Sequence, residues 1–139
     1  MTEQQLYGQV ASILEANSLG WNETSDGVMY LRFSSAGVSI EVGSWGSQAV
    51  VQISSSVLTS VGADEDCVLR EVNRLNVETQ FGRWVFYPES RAVCIEYFLL
   101  GDNLQEVELM TILAALARAA DYHDDSLQEI LGGRRAFEQ

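Results

Sequence analysis

Val38-Ser39-Ile40-Glu41-Val42, then Gly43-Ser44-Trp45-Gly46-Ser47, then Ala49-Val50-Val51-Gln52-Ile53, form the pattern on which the architecture turns. Val38, Ile40 and Val42 alternate with Ser39 and Glu41, the period of two of a half-buried strand. Two glycines and two serines around Trp45 then supply a turn. Ala49 to Leu58 reads as a second run of strand, with Val51 and Ile53 in phase. On the N-terminal side, Val28 to Phe33 places Met29, Leu31 and Phe33 on one face and meets Val38 through the turn Ser34-Ser35-Ala36-Gly37. Three successive strands joined by short turns predict an antiparallel meander.

Helical spacing flanks the meander. Leu6, Val10, Ile13 and Leu14 recur at i, i+4, i+7 and i+8, so residues 3–17 predict an amphipathic helix. Thr2 and Gln5 fit a capping box at its start, and Asn17-Ser18-Leu19-Gly20 ends it. Residues 63–78 return to helical period, with Val68, Leu69, Val72 and Leu75 as the apolar stripe and Asp64, Glu65 and Asp66 at the positive helix end. Phe81 to Tyr87 and Ala92 to Leu100 predict two further strands about the turn Pro88-Glu89-Ser90-Arg91. Both faces of the second of these are apolar, as a central or interface strand requires. A last helix is expected from about Asn103, with a bend near Asp125, where Ser126 and Glu129 offer another capping box, and a stop at Gly132-Gly133. The expected order is α-β-β-β-α-β-β-α: a single α+β domain over residues 1–133, with helices on an antiparallel five-stranded sheet and a frayed tail over 134–139.

The 139 residues suffice for one core without metal or disulfide support. Hydrophobic residues make up 47%, which excludes intrinsic disorder. All eight basic residues are arginine, against 20 acidic ones, for a net charge of −12. Such a chain is repelled by nucleic acid and by anionic membrane, which leaves basic or neutral protein segments as the reasonable partners. Two cysteines and an N-terminus with neither a basic nor an apolar leader region point to the cytoplasm.

No phosphate-cradling glycine loop, Cys-x-x-Cys pair or nucleophile elbow is present, and His123 is the sole histidine. On a helix it points away from Asp121 and Asp125, a poor metal set. Cys67 and Cys94 read as small packing residues. Asn73 and Asn76 either hydrogen-bond a ligand or satisfy backbone where the chain leaves its helix. Trp45, between two glycines, either folds back on the sheet or is presented for binding. Trp84 and Phe86 share a strand face, and they need a partner if the helices cover the opposite one.

Val72-Asn73-Arg74-Leu75-Asn76, Phe81-Gly82-Arg83, Ala119-Ala120-Asp121-Tyr122 and Leu127-Gln128-Glu129-Ile130-Leu131, in this element order, resemble the YbjN-like family, which is often labelled a family of sensory transduction regulators and is related in fold to type III secretion chaperones. The resemblance covers about residues 3–131. It implies a non-enzymatic module: a small acidic homodimer that holds an extended segment of a client protein, with no cofactor and no catalytic residues. Apolar patterning together with analogy to the fold that the resemblance implies assigns self-association to Val68, Leu69, Val72, Trp84 and Phe86, and client contact to Trp45, Val51 and Ile53. The alternative is a regulatory sensor with a small molecule between sheet and helices.

Overall fold

The computed structural model describes residues 1–139. The elements run α1 (Glu3–Ala16), β1 (Asn22–Glu23), β2 (Met29–Phe33), β3 (Ala36–Trp45), β4 (Gln48–Thr59), α2 (Glu65–Glu78), β5 (Arg83–Tyr87), β6 (Ala92–Leu100), α3 (Glu106–Leu131) and β7 (Arg134–Arg135), with a closing 3-10 turn at Ala136–Glu138. All pairings are antiparallel in the order β1-β2-β3-β4-β6-β5, and β7 pairs β4. The fold class is therefore the expected α+β meander with helices. The sheet has seven strands rather than five because two dipeptides, at 22–23 and 134–135, add short pairings that no periodicity could announce.

Local signals act as their chemistry dictates. Thr2 Oγ1 accepts the Gln5 backbone N–H at 3.1 Å, and Gln5 Oε1 accepts that of Thr2 at 2.8 Å, closing the capping box of α1. Asp64 caps α2 by accepting the Cys67 N–H at 2.9 Å. The β3–β4 turn is only Gly46-Ser47, and Gly46 sits at φ 60°, which glycine tolerates without a Cβ penalty. Helix α3 starts at Glu106, not Asn103: the Gln105 N–H donates to Glu108 Oε1 at 3.2 Å. The expected bend near Asp125 does not form. Ser126 donates its hydroxyl back to the His123 carbonyl at 3.2 Å instead of capping a new helix, so α3 runs unbroken for 26 residues.

Register sorts the sheet into two faces. Met29↔Ile40 and Leu31↔Val38 in β2–β3, Val51 and Ile53 in β4, Val93 and Ile95 in β6, and Trp84 and Phe86 in β5 turn to one side. There they form one core with Leu6, Val10 and Leu14 of α1, Val68 and Leu75 of α2, and Leu109, Leu113 and Leu116 of α3. All three helices therefore cover a single face, and the other face carries no helix.

The tail expected to fray is instead ordered. Arg135 pairs with Asp125 and Glu138, Gln128 donates to the Gly133 carbonyl at 3.0 Å, and β7 pairs with Leu58 and Thr59 of β4.

Candidate functional site

The uncovered face presents Ser39, Glu41 and Trp45 of β3, Val50 and Gln52 of β4, Cys94, Phe98 and Leu100 of β6, and Val85 and Tyr87 of β5. Near its middle, Glu96 is only 2% exposed although no helix covers it. Arg83 donates to Glu96 Oε1 through Nε at 3.1 Å and Nη2 at 2.6 Å. Tyr87 donates its hydroxyl to Oε2 at 2.7 Å, and Gln52 Nε2 reaches the same oxygen at 3.4 Å. These neighbours shield the carboxylate and satisfy it. The hydrogen bond to Glu96, with some burial, pushes the Tyr87 phenol up to about 12.

On the helix side, two apolar grooves flank α3. The first, with a cavity of about 290 Å³, lies between β2 and α3 and is lined by Leu19, Phe33, Met110, Leu113, Ala114 and Ala117, with Arg118 and Asp121 at its end. Strand β1 covers only Met29 and Tyr30 of the outer edge of β2, so Leu31 to Phe33 have no strand partner there. The Ser35 hydroxyl, shared between Asp121 and Asp124, and the Ser35 N–H together hold the Asp121 carboxyl below its ordinary range. The second groove, about 230 Å³, lies between β6 and the start of α3. Both are open to solvent; the first stands at the lower bound of roughly 300 Å³ for small-molecule pockets and the second is smaller.

Among the residues assigned to client contact, Trp45 is 76% exposed at the β3–β4 turn. Val51 and Ile53 are corrected: both are 0% exposed, because β4 is a central strand and its odd-numbered positions turn under the helices. Among those assigned to self-association, Val68, Val72, Trp84 and Phe86 are buried within the protomer, and only Leu69, 47% exposed, offers surface. The condition attached to Trp84 and Phe86 fails because the helices lie on their own side of the sheet. Trp84 donates its indole N–H to Thr79 Oγ1 at 3.1 Å.

Asn76 clasps the Trp84 backbone, accepting its N–H at 2.7 Å and donating to its carbonyl at 3.0 Å. It thereby occupies the outer edge of β5 and fills the backbone-satisfying role rather than that of a ligand contact. His123 packs edge-on against Trp84 (5.6 Å) and Tyr122 (4.9 Å), and burial, aided by the Arg74 charge, lowers its pKa. Burial raises that of the Cys94 thiol. Sequence patterning did not find the grooves, whose walls combine α3 with strands far from it in the chain. The one local signal was the apolar outer flank of α3, Val107, Met110 and Ala114.

The fold is thus one antiparallel sheet with three helices on one side and open grooves beside the longest helix. The family model described as T3SS (YopN, CesT) and YbjN peptide-binding chaperone 1 matches residues 4–139, and the chain belongs to this family. Among solved structures, it is similar to a chain of the ExsC–ExsE complex (15% identity, TM-score 0.64, 88% of this chain and 92% of that one). It is also similar to a chain of the HopA1–SchA chaperone–effector complex (7% identity, TM-score 0.64, 90% and 98%) and to YbjN from E. coli (7% identity, TM-score 0.60, 92% and 96%). No curated protein sequence matches. No helix is long and apolar enough to cross a membrane.

Proposed function

We propose that this protein is a non-enzymatic cytoplasmic chaperone that holds an extended segment of a client protein along the groove between β2 and α3. One observation carries the reading: six apolar side chains, Leu19 to Ala117, line a trough beside three residues of strand edge, Leu31 to Phe33, that lack a partner. Backbone pairing to such an edge supplies affinity, and pockets for alternate side chains supply specificity. Arg118 and Asp121 at one end give the segment a direction. Trp45 remains free to touch the client from the uncovered face.

The protein acts as a homodimer in this reading. The outer side of α2 carries Leu69 (47% exposed), Asn73 and Val77 (80% exposed) at i, i+4 and i+8, flanked by charges of both signs, Asp66, Arg70, Arg74 and Glu78. Two exposed apolar side chains about a central amide, with flanks of mixed charge, are self-complementary, as a two-fold contact requires.

A photo-crosslinker placed at the exposed position Ala114 tests the client site. Mass spectrometry is expected to identify one or a few defined polypeptide segments, lost when Met110→Glu charges the groove wall. A bound metabolite in native mass spectra, with no crosslinked peptide, would falsify the reading.

A further inference from the structure

β6 continues past the end of β5. Strand β5 pairs Ala92 to Glu96, so Tyr97-Phe98-Leu99-Leu100 is bonded to β4 on one side and to nothing on the other. Free edges in natural sheets are ordinarily blunted by lysine, proline or a bulge, and the β5 edge is blunted here by the Asn76 clasp. These four residues carry no lysine, proline or bulge of their own; on the uncovered side Arg83, held by Glu96, lies over the Phe98 ring at 5.6 Å, and the helix side stays apolar. Phe98 and Leu100 are 49% and 60% exposed on the uncovered side. Tyr97 and Leu99 point to the helix side, where the second groove lies, closed by Val107 and Ile112 of α3 and ended by Phe81. Glu108 stands in the groove wall, using Oε1 to cap Gln105 and leaving Oε2 without a partner.

We propose that the Tyr97–Leu100 edge is a second strand-addition site, which takes an extended segment with apolar side chains at alternate positions and a Lys or Arg set against Glu108. The inference rests on the chaperone reading and adds a second point of capture across α3. Two inward side chains of an added strand lie roughly 7 Å apart, matching the Tyr97–Leu99 spacing. Charge decides between occupants. A second copy of this chain would bring another Glu108 toward the first, on a molecule of net charge −12, whereas a basic segment is attracted.

Random linear peptides displayed on phage and selected on the wild-type protein supply the probe. Enriched sequences are expected to alternate apolar residues and to carry Lys or Arg. Bound to the protein, they should slow amide exchange at Tyr97–Leu100. Val107 is 70% exposed in the first turn of α3, where a carboxylate is tolerated, so Val107→Glu folds and should weaken binding about tenfold. Glu108→Gln keeps the cap and should weaken only the basic peptides. Ile130→Glu, exposed elsewhere on α3, should change nothing. Protection confined to Leu31–Phe33 and indifferent to Val107→Glu overturns the second site and leaves the chaperone reading intact. Failure to enrich any peptide overturns both. Protection of Tyr97–Leu100 that appears without peptide and vanishes on dilution identifies a second copy as the occupant and overturns the inference.

Discussion

Trp45 and Trp84 have the same side chain and opposite situations. Trp84 is sealed at 2% exposure, with its indole N–H and both backbone polar groups bonded. Replacing it with alanine opens a cavity in the core, and denaturant titration should show a loss of about 3–5 kcal/mol. Trp45→Ala at the exposed turn should stay within about 0.5 kcal/mol of the wild type. The Tyr87 phenol is held at about 12 by Glu96, against roughly 10 in an unfolded chain. Its protonated form therefore favours the fold: that contribution is complete below about pH 10 and disappears as pH rises through about 12. Stability measured across this window should decline, and Tyr87→Phe should flatten the decline. Sequence reading placed Tyr87 and Glu96 on strands but could not pair them, since the bond depends on the β5–β6 register, which puts Glu96 opposite Arg83 and on the same face as Tyr87, with the Val85↔Cys94 rung between.

Elements were legible wherever a period or a cap repeated. The capping box of α1 and the alternation of β3 and β4 are local, and each formed as the residues dictate. The boundaries that moved were those where two local options competed. Ser126 could cap or bond back, and inside a continuous apolar stripe it bonds back. The ordered tail depends on Arg135 meeting Asp125, a contact across a helix end with no sequence period. At this scale lies the self-association prediction. Leu69→Glu with Val77→Glu charges the exposed stripe of α2 without touching its buried side, and sedimentation should report monomers of unchanged helix content. An unchanged dimer would remove α2 from the interface.

The whole molecule is a charged body with sticky margins. At −12, it should bind a basic client strongly at low ionic strength and progressively more weakly as salt is added, since the Debye length shrinks from about 10 Å at 0.1 M to about 3 Å at 1 M. Titration at several salt concentrations checks this; salt-independent affinity would mean that the apolar grooves bind without electrostatic help. Composition, charge, element type and the family resemblance were all determined by the sequence alone, because periods of 2 and 3.6 and capping chemistry involve residues within a few positions of each other. Which sheet face the helices cover, and hence that Val51, Ile53, Trp84 and Phe86 are interior, was decided only in three dimensions. Alternation separates two faces of a strand without saying which one a distant helix will choose. Open edges are still further from view, because an edge exists only where a neighbouring strand ends, as β5 ends short of Tyr97.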